Sequence, residues 1–255
     1  MDIKQIYDKI RNRARQIVSH FPSPEFYTAF SVANDFSRNF FATDLIVIKL
    51  RSFISENIKD NLGHGIDHAN KVSIDAGTLL IIEGNLAGYS EEFIVRRLLL
   101  VQCAGLLHDI KRAHKNHAEA GAIFAKEVLK EYSSIEQDEV EDISKAIRNH
   151  EAFRKTVEMK TSEGVLISDC LYDADKFRWG PDNFTHTVWD MVSLVNLPLK
   201  EFIALYPNGI EGLVKIRNTF RTSTGKKYGP QFIDTGLAIG KELNRVIKTE
   251  FAKYI

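Results

Sequence analysis

Cysteine is scarce in this chain: Cys103 and Cys170 stand far apart, with no Cys-x-x-Cys spacing. They cannot form a zinc ribbon by themselves. Two cysteines suit a reducing compartment, and each reads as a small buried hydrophobe. Net charge is absent as well, because Lys+Arg and Asp+Glu number 34 each. A general nucleic-acid coat or a binder of acidic lipid is basic, so the balance supports neither, while leaving room for a local basic pocket. Long hydrophobic runs are missing too. The apolar run Leu98 to Val101 is bounded by Arg97 and Gln102, and nothing approaches the roughly 18 uncharged apolar residues of a membrane span. Met1 to Gln5 is an amphipathic start without an apolar signal core. Internal repeats and low-complexity tracts are also lacking. These absences lead to the expectation of a soluble, cytoplasmic protein that neither enters a membrane nor coats nucleic acid.

What is present is helical periodicity. Hydrophobic residues make up 44% of the 255 residues, enough for one core, or one core with a helical annex. Ile3, Ile6, Ile10, Ala14 and Ile17 form a helical stripe over 2–19. Residues 20–43, rich in Phe, Pro and Ser, read as a connector with a short helix, and 44–58 return to helical spacing. Asn61 to Gly65 is a break. A helix over about 66–83 carries Ala69, Val72, Ala76, Leu79 and Leu80 on one side and stops near Gly84-Asn85. Ser90 caps the next, over about 91–111, which is nearly apolar from Leu98 to Leu107 and reads as the buried central helix. Further helices are predicted over about 116–131, 136–150 and 165–176, although Val165-Leu166-Ile167 is ambiguous with a strand. After the breaker Trp179-Gly180-Pro181-Asp182 come three more, over about 185–195, 198–219 and 231–253, the last two separated by a loop from Thr222 to Pro230. No set of strands with period-two alternation is present, so the fold is expected to be all-α. The expected organisation is N-terminal helices over 1–58, a core over 59–183 that holds the segments described next, and a C-terminal helical extension over 184–255 in the same compact unit.

Four segments carry chemistry: His64-Gly65-Ile66-Asp67-His68, Leu106-Leu107-His108-Asp109-Ile110, His150-Glu151, and Tyr172-Asp173-Ala174-Asp175-Lys176. His68 shares a helical face with Val72, Asp75 and Leu79 and so points inward. His108-Asp109 ends a strongly apolar run. Burying an ionised carboxylate costs several kcal/mol unless a cation compensates it, and Asp173 and Asp175 raise the same question. Imidazole and carboxylate donors without thiolate suit Mn, Fe, Mg, Co or Ni, with Zn also compatible. A single buried histidine is ordinarily a hydrogen-bonded core residue, and a His-Asp pair is common by chance. The case rests on all the segments together, in order, each attached to an apolar helix.

That ordered pattern resembles the HD superfamily of metal-dependent phosphohydrolases. His68-Ala69-Asn70-Lys71-Val72 looks like the family's first-ligand segment, His108-Asp109 like its signature doublet, and Asp173-Ala174-Asp175-Lys176-Phe177 like its final-ligand segment. The resemblance covers about 60–180, and 185–255 resembles nothing recognised. It implies an HD-domain helical bundle with additional C-terminal helices. It also implies His68, His108, Asp109 and Asp175 as ligands of a first metal. His64 and Asp67 would line the site, and Asp173 would accept a hydrogen bond from a ligating imidazole. A second metal is left open: His117, or its competitor His114, resembles a further donor, and His150 points inward. Dinuclear members often carry His-His where this chain has His150-Glu151, although Glu151 could still ligate.

The activity implied is hydrolysis of a small phosphoester, a nucleotide being the leading substrate, by water activated on the metal. Asp109, Lys111 and Arg112 are the expected catalytic residues. Lys176 and Arg178, with His64 and Asp173, are the expected substrate contacts. Arg112 stands where some HD nucleoside monophosphatases carry an acidic base, which counts against that subtype and suits members that bind phosphate with a cation. The competing readings are a metal-bearing nucleotide sensor, an HD-type di-iron oxygenase and a helical interaction protein with a vestigial site. Tyr228-Gly229-Pro230 is not the Gly-Tyr-Pro tripeptide of cyclic-dinucleotide phosphodiesterases. The hydroxyls, glycines and lysines of Arg221 to Pro230 read as an exposed basic turn or a lid carrying phosphate. Phe232, Ile233, Leu237, Leu243, Val246, Ile247 and Phe251 read as core or as a dimer surface, leaving a homo-oligomer open.

Overall fold

The structure is a computed structural model that describes residues 2–57, 65–194 and 196–255. Among the described residues it is helical throughout, with no strand. The helices are α1 (Ile3–Ser19), α2 (Glu25–Ala29), α3 (Ser31–Thr43), α4 (Leu45–Asn57), α5 (Ile66–Leu86), α6 (Glu91–Leu107), α7 (His117–Leu129), α8 (Gln137–Arg148), α9 (Ser162–Phe177), α10 (Val188–Leu194), α11 (Leu199–Ile216) and α12 (Ser223–Glu250). A π-helical turn, Asn183–Thr187, leads into α10. Side-chain caps start several of them: the oxygens of Asp2, Ser90, Thr161 and Thr222 accept the backbone N–H three residues on.

The centre is the antiparallel pair α5 and α6. Every residue from Leu98 to Leu107 is buried. The pair packs closely because Gly105 has no side chain, and a Cβ there would fall 2.7 Å from the Ser73 Cα. Ser73 Oγ in turn donates to Ala69 O and Gln102 O. Helix α3 lies across both, with Ser37 Oγ donating to Ile74 O and Gln102 Nε2 donating to Ser37 O. Helices α8 and α9 pack on α6, and α7 packs on α8. The C-terminal segment is fixed to α9 by aromatic stacking: Phe177 and Phe232 lie parallel with ring centroids 4.1 Å apart, and Phe26 packs against both. Cys103 and Cys170 are buried as free thiols.

Four boundaries differ from expectation. Residues 20–43 hold two helices rather than one in a connector. Helix α5 runs through Gly84-Asn85 to Leu86, and there Gly84 makes room for the Ile94 side chain. Helix α6 ends at Leu107, so His108 is its C-cap rather than an interior residue. The segment 223–230 is not a loop but the opening turns of α12. Its glycines serve packing, since a Cβ at Gly225 would collide with Asp173 Oδ2 and one at Gly229 with the Phe220 ring. The ambiguous Val165-Leu166-Ile167 is helical, within α9. His64 and the break at Asn61-Leu62-Gly63 lie outside the described residues.

Candidate metal centre

Five helix ends converge on one buried cluster. His68 is in the first turn of α5, His108 is the C-cap of α6 with Asp109 next to it, and His117 opens α7. His150 follows the C-cap of α8, and Asp175 is in the last turn of α9. Three of these ends are C-termini, whose negative pole adds to the demand for positive charge. Successive turns hold the doublet in place: Ile110 N donates to Leu107 O, and Arg112 N to Asp109 O. The turn carrying His150 is held by Asn149, whose amide pairs both ways with the Val157 backbone.

The donor atoms face one another. His68 Nε2 is 3.2 Å from His108 Nε2 and 3.3 Å from Asp175 Oδ1. Asp109 Oδ2 is 3.4 Å from His108 Nε2 and 3.8 Å from His68 Nε2. Its other oxygen, Oδ1, is 3.5 Å from His150 Nε2 and 3.6 Å from His117 Nε2. Asp109 thus stands between two groups, one of His68, His108 and Asp175, the other of His117 and His150. All six side chains are buried.

Two backbone contacts decide the chemistry. His108 Nδ1 is 2.7 Å from Gly105 O, and His150 Nδ1 is 2.6 Å from Ile147 O. A carbonyl only accepts, so each Nδ1 carries the proton and each Nε2 turns toward the carboxylates. Imidazole lone pairs and carboxylate oxygens gathered out of water repel one another unless a cation lies between them. Without a metal a proton takes that role. Burial opposes charge on His108, yet Asp109 and Asp175 outweigh it and hold its pKa up at about 10. Burial likewise opposes charge on Asp175, but Lys176, His108 and His68 keep it well below the usual carboxylate range. His117 goes the other way, down to about 4, through burial and the nearby Arg112 and His150 against the pull of Asp109. The donor set therefore fits a divalent cation of the Mn, Mg, Fe, Co, Ni or Zn class, as groups of buried His and Asp whose donor atoms lie within 4.8 Å of one another.

The surrounding side chains divide into those that face the cluster and those that do not. Arg112 Nη1 donates to His117 Nε2 at 2.8 Å and lies 3.8 Å from Asp109 Oδ1. Lys176 is buried, salt-bridged to Asp175, and donates to His150 O at 3.0 Å. Three of the expected site residues have partners outside the cluster. Asp173 is bonded to the segment that opens α12. Its Oδ1 accepts from Arg221 N, and its Oδ2 from Thr222 N and Thr222 Oγ1, so it anchors the start of α12; burial pushes it up to about 6 against these donors. Lys111 lays its ammonium on the Phe124 ring, 3.8 Å from the centroid. Arg178 is committed to Asp75, Asp182 and Tyr27, tying α9 to α5, although it also borders the space beside the cluster. His114 is exposed while His117 is buried, and Glu151 accepts from Arg154. His20 and His186 are exposed and stand apart.

Sequence reasoning missed the space that opens beside the cluster. A cavity of about 270 Å³ reaches from His68, Arg112 and Asp175 into the region of α10 and α11. A signal was present in the apolar face Phe202, Tyr206, Ile210 and Leu213 on α11, which reads equally well as core. No helix among the described residues is long and apolar enough to cross a membrane. Residues 65–178 match the family model of the HD domain. Searches of curated proteins and of solved structures found no match.

Proposed function

With residues 65–178 identified as an HD domain, matching the superfamily of metal-dependent phosphohydrolases, we propose that this protein hydrolyses a small phosphoester at the His68, His108, Asp109 and Asp175 cluster. The observation that carries the reading is the pair of backbone bonds from the Nδ1 atoms of His108 and His150, which leave both Nε2 atoms facing Asp109. A divalent cation held there supplies Lewis acidity and lowers the pKa of water. His68, His108, Asp109 and Asp175 would hold it, with His117 and His150 beside the second oxygen of Asp109. Lys176 positions Asp175. Arg112, half-buried at the rim, brings a guanidinium to the phosphoryl oxygens. In the reaction a water oxygen bonds to phosphorus as the ester P–O bond breaks. One water proton goes to the departing alcohol oxygen, and the other stays with the phosphate. Substrates of the class include nucleotides and other phosphoesters.

The test is elemental analysis of protein purified without chelator, in parallel with phosphate release from a nucleotide and phosphoester panel under Mn, Mg, Co and Ni. About one metal per chain, lost together with phosphate release in the His108→Ala, Asp109→Ala double variant, is the expected result. No metal and no hydrolysis under any ion would overturn the reading. One observation favours a second reading, a di-iron oxygenase: Asp109 turns its two oxygens to two separate groups. Two irons per chain and substrate-dependent oxygen uptake without phosphate release would select it. Against it, Arg112 already donates to His117 Nε2 and must move before a second ion can use that nitrogen.

A further inference from the structure

The cavity beside the cluster carries its charged side chains at the end next to the cluster. His68, Arg112, Asp175 and Arg178 form that end. Beyond them the lining is Trp179, Phe184, Met191, Phe202, Tyr206 and Leu213 among other apolar side chains, all supplied by residues that follow the HD match. Among the described residues, Asn183, Thr187 and the Trp179 indole N–H are the other polar groups along it, apart from the Tyr206 hydroxyl, which is already spent on Gly240 O at 2.7 Å. The apolar lining continues to the surface, where Trp179, Met191 and Leu205 stay 37%, 44% and 53% exposed. A surface helix does not ordinarily leave such side chains grouped around an open space without a ligand to cover them.

We propose that the alcohol half of the substrate is a compact apolar group, alkyl or aryl, seated in this cavity with its phosphate at the cluster. The proposal rests on the phosphohydrolase reading of that cluster. The occupant follows from continuity: the cavity opens onto the donor atoms themselves, so the group that fills it is joined to the one reacting there. Its size follows from the volume. At ~30 Å³ per water-sized group, about nine or ten carbons fit. A nucleoside brings a row of donors and acceptors that this lining leaves unpaired, a loss that discriminates strongly against it.

The test uses n-alkylphosphonates of increasing length, which cannot be hydrolysed, titrated calorimetrically into the purified protein below their self-association concentrations. Adenosine monophosphate is the nucleotide probe. Affinity is expected to rise roughly fourfold per methylene, the fold-change that corresponds to ~0.8 kcal/mol for one buried CH₂, to a plateau near eight to ten carbons, with the nucleotide binding more weakly than octylphosphonate. Gly209 lines the cavity, and a Cβ there meets nothing within 4 Å. Gly209 is exposed at the edge of the cavity, so Gly209→Phe sets a ring at its mouth without a clash at its Cβ and removes a helix-weakening glycine. It is expected to lower the chain-length slope, with the affinity of octylphosphonate falling more than that of methylphosphonate. A flat slope in the wild type, an unaltered slope in Gly209→Phe, or tighter binding of the nucleotide overturns the proposal. Phosphate release from nucleotides with a flat slope sinks this inference and keeps the hydrolase. A steep slope with no phosphate release from any ester does the reverse, leaving the apolar cavity established and the hydrolase reading refuted.

Discussion

At the scale of single residues, the cluster is controlled by groups that hold its donors as much as by the donors. Lys176 is buried and bonds both Asp175 and the His150 carbonyl. Lys176→Met removes both contacts without opening a large void. By analogy with partners that orient metal ligands, metal affinity should fall about 10- to 100-fold. Titrating chelator-stripped protein with Mn²⁺ measures this, and an unchanged affinity would show that Lys176 does not position Asp175. Arg112 occupies His117 Nε2, so Arg112→Ala frees that nitrogen. The expected outcome is a rise in bound metal per chain after equilibration with excess Mn²⁺ and gel filtration; a ratio identical to wild type would show that the guanidinium does not compete with a second ion.

At the scale of helices, two contacts set the geometry. Gly105 lets α6 approach α5, and a Cβ there meets the Ser73 backbone at 2.7 and 2.9 Å. Backbone cannot step aside as a flexible side chain can, so Gly105→Ala must separate the two helices. The expected cost is about 1–3 kcal/mol in chemical denaturation. Metal affinity should fall with it, because His68 and His108 ride on those helices. Asp173 fixes α12 to α9 through three hydrogen bonds. Asp173→Ala leaves buried donors unsatisfied and should cost roughly 3 kcal/mol, read as a lower denaturation midpoint with metal affinity little changed. A selective loss of metal with normal stability would instead place Asp173 in the metal centre.

At the scale of the whole molecule, an ion held at the cluster would link binding to folding. The cluster draws on five helices and gathers two buried carboxylates, so a cation that binds only the folded chain stabilises all of these elements together. At a metal concentration about 100 times Kd, the linkage amounts to ~2.7 kcal/mol, or a Tm difference of roughly 5–10 °C for a chain of this size. Differential scanning calorimetry with Mn²⁺ against a chelator checks it; coincident transitions would mean that the folded cluster gains nothing from an ion. The extension beyond the HD match takes part in the same core. Phe177 stacks on Phe232, and Tyr7 donates to Leu197 O at 2.8 Å, so its helices brace the centre as well as lining the cavity.

Much of this was legible in one dimension. Helical periodicity located α1, α4, α6, α7, α8 and α9 because burial of one face repeats at a fixed interval along the chain. The ordered histidines and aspartates were legible because each closes or opens an apolar helix, where a charge has no reason to be without a partner. Other features depended on contacts between distant segments. Sequence alone left His117 and His114 as competitors, and the start of α7 buried one and exposed the other. Gly225 and Gly229 look like loop residues until Asp173 and the Phe220 ring take up the space against them. That Arg178 also pairs with Asp75 and Asp182 could not be read from the chain. The cavity could not be read from the chain, since an apolar helix face facing a void has the same pattern as one facing a neighbour. Periodicity along the chain was enough for an all-helical fold and for naming candidate donors; which way each candidate turns and what space it faces came from packing, because both depend on residues far apart along the chain.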